Sequence, residues 1–299
     1  MHSNLFFIVG VGRSGTTLIR LMLNSHPDVA IPYETHFITN YIREMDKYGP
    51  LSVSANLDRL IADLLKEDLL SKWDKVPTAQ EVKQKLGSNP TLSDVIDAIY
   101  SCYAQAHGKK FWGDKSDYLD RMHDINSLFP NTKFIHIIRD GRDVAQSVLK
   151  MEWGPGDIIE AAEWWRDHVR LGRCMGKMLP PDRYMEIRYE DLVLDTENNL
   201  RRICDFLGLP YAVEMLNYYK NSESLIPAER TSQHYNADAP PMASRTYAWK
   251  TSMDKSAVAV FDKYAKTQLQ AFGYEANTVQ IPKWKLRLAT LKVLLKRMF

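Results

Sequence analysis

Near the amino end, residues 6–17 read FFIVGVGRSGTT. A short apolar run passes into a glycine-rich turn, and the turn opens directly into a helical pattern. Strand, turn and helix N-terminus in that order make an anion site. The N–H groups that a first helical turn leaves unpaired converge there with the positive end of the helix dipole. Aligned with the phosphate-loop pattern G-x-x-x-x-G-K-[ST], Gly10 and Gly15 take both glycine places, but Thr16 stands where the lysine belongs. A nucleoside triphosphatase uses that lysine on the outer phosphates, so ordinary ATP or GTP chemistry is disfavoured. The cation has moved into the loop as Arg13.

The 299 residues suffice for one large or two small domains, and 45% hydrophobic with 25% charged residues allows a sizeable core. A net charge of +2 argues against nucleic-acid binding by broad phosphate neutralisation. The three cysteines, Cys102, Cys174 and Cys204, are scattered and show no C-x-x-C spacing. They read as free, buried thiols in a reducing compartment, not as a disulfide frame or a zinc site. His26, His107, His123, His136 and His168 lack metal-binding spacing such as H-E-x-x-H, so no metal is expected.

Periodicity predicts a buried parallel strand over Leu5–Val9 and its helix over Thr16–Asn24. Helices follow over 54–73, 78–86 and 91–107, with Pro77 and Pro90 marking two starts. With no strand among them, residues 40–110 read as a helical insertion. A second buried strand, Lys133–Ile138, leads into a helix over 142–150, and a long helix covers 157–178. A strand over 183–187 and the helix Thr196–Leu207 come next, then an irregular stretch over 221–245 and a closing helix over 255–272. Such alternation predicts an α/β fold, a parallel sheet flanked by helices on both faces, with ligands at the carboxyl ends of the strands. A single domain over residues 1–280 is expected, with a separate tail over 281–299.

Residues 134–149, FIHIIRDGRDVAQSVL, form the second informative stretch. Arg139 closes a strand, and Ser147 lies about two turns into the next helix. An arginine fork suits a phosphate dianion and a hydroxyl adds a donor; the plainer alternative makes Asp140 a helix cap and Arg139 a surface residue. Together with residues 10–35, GVGRSGTTLIRLMLNSHPDVAIPYET, this pattern resembles the sulfotransferases that use PAPS (3′-phosphoadenosine 5′-phosphosulfate). The tyrosylprotein, carbohydrate and bacterial branches are the most similar, and the likeness runs through residues 5–272.

The resemblance implies a P-loop-type fold and transfer of a sulfuryl group from PAPS to a hydroxyl, less often an amine, with release of PAP. It implies that Arg13, Ser14, Gly15, Thr16 and Thr17 hold the 5′-phosphosulfate and that Arg139 and Ser147 hold the 3′-phosphate. Thr16 and Thr17 also fit plain helix capping. Glu34, in PYETH, matches the family's general base, with His36 as a rival. Lys115, in FWGDKS, matches a lysine that reaches the sulfuryl group and bridging oxygen, or else it merely caps the following turn. Tyr189, in YEDL, either lines the adenosine pocket or braces the sheet end. Arg245 and Lys250, in SRTYAWK, belong to a loop that closes over the nucleotide; Ala248 stands where relatives often carry a basic residue, so which cation makes contact stays open.

Trp164 and Trp165 read as packing on the long helix or as a sugar platform, and His136 as a hydrogen-bonded core residue. The acceptor pocket is expected from the insertion and residues 221–243; carbohydrate, lipid-linked sugar, peptide tyrosine and small metabolite all stay open. Only MHSN precedes an apolar run too short to span a bilayer, whereas Golgi relatives begin with an anchor, so the expectation is a cytoplasmic enzyme. The tail IPKWKLRLATLKVLLKRMF carries six Lys or Arg and no acid. It reads as a basic amphipathic helix that packs on the domain, pairs two copies in a homodimer, or lies on an anionic membrane. Two rival functions remain at this level, a small-molecule kinase and a catalytically silent PAP or PAPS sensor.

Overall fold

The computed structural model describes residues 5–221, 239–276, 279 and 281–296. Its sheet consists of β1 Leu5–Val9, β2 Val29–Ala30, β3 Phe111–Asp114, β4 Lys133–Ile138 and β5 Tyr184–Arg188. They lie in the order β2-β3-β1-β4-β5, and every neighbouring pair is parallel. Helix α1 Thr16–Asn24 leads from β1 to β2; α2 Ile38–Glu44, α3 Ser54–Leu65, α4 Ala79–Gln84 and α5 Leu92–Ala106 lead to β3. Between β3 and β4 comes α6 Met122–Leu128, and between β4 and β5 come α7 Gly141–Val148 and α8 Ile158–Gly176. The chain continues through α9 Tyr189–Leu194, α10 Thr196–Leu207, α11 Trp249–Ser252, α12 Lys255–Ala271 and α13 Lys283–Lys296.

Because side chains of a strand alternate between faces, β1 feeds two cores. Leu5, Phe7 and Val9 enter an apolar cluster with α5, α7, α8 and α12, while Phe6 and Ile8 enter another with α1 and α10. Helices cover both faces, as the continuous apolar strands require. Residues 40–110 hold helices and turns and no strand. Thr78 and Thr91 cap α4 and α5 through reciprocal bonds with Glu81 and Asp94, one residue after the prolines that mark those starts in the sequence.

The structure departs from expectation at short elements. Periodicity does not predict β2 and β3: two residues carry no period, and FWGD hides its pattern behind a glycine and an aspartate. The helix expected over 54–73 stops at Leu65, after which the chain turns to bury Leu70 and Trp73. Cys102 and Cys204 are buried as expected, but Cys174 is exposed; all three are free. His136 is fully buried, bonded through Nδ1 to Tyr184 Oη at 2.6 Å, and burial pushes its imidazole down to about 4. Helix α13 packs on α12 and α8. Among the described residues no helix is long and apolar enough to cross a membrane.

One buried ion cluster ties the site to the closing helix. Arg142, on α7, bonds Asp140 at 2.8 Å and Asp262 of α12 at 3.1 Å, donates to Glu275 O and lies over the Trp249 ring. Removing one member of such a cluster strands the others without solvent. Arg142→Ala is expected to destabilise the fold by about 3–5 kcal/mol in urea unfolding.

Candidate active site

The sheet order lays out the site. The loop after central β1 is flanked on one side by the loops after β2 and β3, and on the other by those after β4 and β5. They enclose a cavity of about 370 Å³ whose walls include Thr16, Thr17, Glu34, Lys115, Arg139 and Tyr189. In the central loop Arg13 and Gly15 both adopt left-handed backbone, with φ of 70° and 97°. Gly15 admits no side chain, because a Cβ there would sit 2.5 Å from the Tyr189 ring. As Gly15 caps α1 without any side-chain bond, Thr16 and Thr17 do not act as caps. Instead Gly15, Thr16 and Thr17 line the cavity, which puts the unpaired first-turn N–H groups and the positive end of the helix dipole at its wall. Ser14 Oγ is fully buried and lacks a hydrogen-bond partner among the described residues. An orphaned hydroxyl within such a loop fits an anionic oxygen.

On the β4 side Arg139 leaves the strand end with its guanidinium 4.5 Å from the Tyr189 ring centre. It donates to Arg245 O at 2.8 Å and Arg13 O at 3.3 Å, and Asp143 lies 3.9 Å away. Its Nε has no partner among the described residues. Arg13 Nε donates to Ser147 Oγ at 2.8 Å. So Arg13, expected at the phosphosulfate end, turns its guanidinium toward the Arg139 side. Arg245 joins this cationic cluster, whereas Lys250 is exposed, stands over the Tyr247 and Trp249 rings and does not line the cavity. The capping and cationic readings of Arg139–Asp140 both hold. Asp140 accepts from Arg142 N and caps α7, while Arg139 lines the cavity. The tryptophans divide likewise: Trp165 is core and donates to Arg139 O at 3.1 Å, and Trp164 faces the cavity with Trp153.

Glu34 and Lys115 meet on the opposite side, Lys115 Nζ donating to Glu34 Oε2 at 2.6 Å. Burial pushes the Glu34 carboxyl up, but the adjacent Lys115 charge and hydrogen bond outweigh it and hold the group down to about 2. The bracing residues escape a reading of the sequence. Arg20 of α1, fully buried, donates to Ile31 O and Pro32 O at 3.2 and 3.0 Å. Trp73 Nε1 donates to Tyr33 O at 2.8 Å, and Thr35 N donates to Ser116 Oγ at 3.0 Å. Thr35 Oγ1 also bonds Tyr100 Oη at 3.0 Å, and that phenol donates to buried Asp114. A lone arginine inside the apolar run LIRLML is the available signal for Arg20; the others have none. The insertion therefore supports the cavity wall from behind through Trp73 and Tyr100. Most of 221–243, the other segment expected at the acceptor, lies outside the described residues, although Pro240 to Met242 line the cavity.

His36 has a φ of 65° and stands with Nε2 3.9 Å from Glu34 Oε2. Its Nδ1 accepts from Asp117 N at 3.2 Å, so the neutral ring carries its proton on Nε2, toward the carboxylate.

A phosphate-type loop between a guanidinium cluster and a carboxylate–lysine pair defines a group-transfer enzyme, and the family is shown by comparison. Residues 6–213 match the Sulfotransferase family, and the chain belongs to it. Protein-tyrosine sulfotransferase A of Caenorhabditis elegans is 25% identical over 293 residues, covering 92% of this chain and 68% of the relative. The protein-tyrosine sulfotransferase of Drosophila melanogaster is 26% identical over 242 residues; the match spans 76% of this chain and only 44% of that protein. Among solved structures, the sulfotransferase domain from the curacin biosynthetic pathway shares the fold with a TM-score of 0.61 at 21% identity. It covers 92% of this chain and 99% of that one. The sulfotransferase domain of the Synechococcus PCC 7002 olefin synthase gives 0.59 at 24%, over 92% and 96%.

The ion pair sets a pH dependence. Since the Glu34 carboxyl is held below its ordinary value near 4.5, its stabilisation is complete above that pH and is lost as pH falls through about 2. The shift corresponds to about 3 kcal/mol. Comparing the pH dependence of urea unfolding for the native chain and Glu34→Gln, the rise in stability between those limits should shrink by about that amount in the variant.

Proposed function

We propose that this enzyme transfers a sulfuryl group from PAPS to an acceptor hydroxyl and releases PAP. The observation that carries the reading is the split of cations across the phosphate loop. Arg139, Arg13 and Ser147 lie on one side, Lys115 with a carboxylate on the other, and Thr16 replaces the lysine a triphosphate requires. Arg139, Arg13 and Ser147 suit the 3′-phosphate that separates PAPS from ATP. Ser14 Oγ and the first-turn N–H groups from Gly15 to Thr17 suit the 5′ end, and Tyr189 supplies a ring wall. PAPS, when bound, supplies the sulfuryl group and a leaving 5′-phosphate.

Glu34 takes the acceptor's proton as its oxygen bonds to sulfur. Lys115 meets the negative charge that develops on the departing phosphate oxygen as the sulfur–oxygen bond breaks. These two roles are linked. A carboxylate held near 2 is a weak base, and Lys115 relaxes that hold as it turns toward the leaving oxygen. His36 is the poorer base because its Nδ1 lone pair is already engaged by Asp117 N–H. The kinase alternative lacks the lysine in its loop, and a silent sensor has no need of Glu34 and Lys115. The activity for which the relatives are named makes a peptide tyrosine the first acceptor to test, beside carbohydrate and lipid-linked hydroxyls.

Calorimetric titration should show PAP binding and no response to ATP with magnesium; the reverse result would favour the kinase. Glu34→Ala should cut turnover by about 10²–10⁴-fold while sparing PAP binding. Arg139→Ala should weaken PAP binding itself by about 1.5–3 kcal/mol. An exchange of these two phenotypes would overturn the assignment of Glu34 to proton transfer and Arg139 to the nucleotide.

A further inference from the structure

Helix α13 has two unlike sides. Its inner side rests on α12 and α8 through half-buried Leu286 and Ala289 and buried Thr290, whose hydroxyl donates to Leu286 O at 2.9 Å. Its outer side shows Trp284, Leu288 and Leu291, exposed to 63%, 45% and 52%. Spacings of four and three residues put these three on one stripe. Lys283, Lys285 and Arg287 are exposed around that stripe, and no acidic residue follows Glu275 to the end of the sequence. Packing on the domain, one of the alternatives for this segment, therefore accounts for its inner side and leaves the outer side to be explained.

We propose that the outer side of α13 seats on an anionic lipid surface, with Trp284, Leu288 and Leu291 entering the headgroup region and Lys283, Lys285 and Arg287 against lipid phosphates. Charge complementarity selects this occupant. A second copy of the helix would bring its own lysines and arginines against these, whereas an anionic bilayer neutralises them. Among the described residues the apolar stripe is narrow and none of the helices is long and apolar enough to cross a membrane, which suits a helix lying in the interface plane. Trp284 puts an amphipathic ring at the depth where such rings are favoured.

The full chain should be sedimented with vesicles of phosphatidylcholine alone and of phosphatidylcholine with phosphatidylserine. It should pellet with the anionic vesicles and be released by high salt. The variant W284S/L288S/L291S, all at exposed positions, should keep its circular dichroism and unfolding midpoint and lose at least about tenfold in vesicle affinity. K283Q/K285Q/R287Q should lose the preference for phosphatidylserine. Three results would overturn the proposal: native protein left in the supernatant with both vesicles, equal pelleting by the folded apolar variant, or light scattering showing a dimer that this variant breaks.

Discussion

The central position of β1 governs the rest of the molecule. From β1 the chain crosses to β2 and β3 on one side, then passes back over to β4 and β5 on the other. In a parallel sheet that reversal opens a crevice at the carboxyl ends, since loops on either side of it diverge. The loop with Arg13 and Gly15 lies in that crevice. The two sets of polar groups that frame it come from strands on opposite sides, so they are held apart by the sheet itself. That separation fits the proposed donor, which has charge at two ends and must meet the acceptor at only one of them.

Holding such a site requires buried charge, and the main buried charges around it are tied to backbone or to counter-ions. Arg20 grips the carbonyls that precede Glu34, Arg142 gathers Asp140 and Asp262, and Glu190 accepts from Asp140 N and Tyr274 Oη at 3.0 and 2.8 Å. These groups add little net stability compared with apolar packing, because desolvation offsets much of the attraction. Their contribution is directional. Carbonyls gripped by Arg20 after β2 and the Asp140 carboxylate gripped by the Arg142 fork after β4 are fixed in direction, so the loops after β2 and β4 leave the sheet along set paths. The left-handed backbone at Arg13 and His36 marks where the chain accepts strain to aim side chains that flanking bonds keep in place.

What the sequence makes legible follows a physical divide. The phosphate loop and the Arg139–Ser147 pair lie within single strand–turn–helix units, where neighbours in space are neighbours in sequence. Their element bounds are therefore readable, close to those observed. β2 and β3 are not, since short strands gain their structure from pairing and not from periodicity. Tyr100, Asp114 and Ser116 are equally hidden; each acts through a partner that only the fold brings near. Arg13 is recognisable as a site cation, but its direction is not, because that depends on Ser147 from another helix. Lys250 lies in a recognisable stretch and still turns outward, on the aromatic side of its loop.

The tight contact between Lys115 and Glu34 then has a clear physical meaning. Two opposite charges at 2.6 Å, mostly screened from water, form a pair that is stable but chemically idle. The carboxylate is stabilised too well to accept a proton, and the ammonium is occupied. A new negative centre beside Lys115 competes for the ammonium and loosens both restraints together. On the reading proposed above, a charged donor beside Lys115 is what returns proton affinity to the carboxylate and frees the ammonium for the leaving oxygen. Under that proposal, one ion pair would make the base effective only when there is a group to transfer.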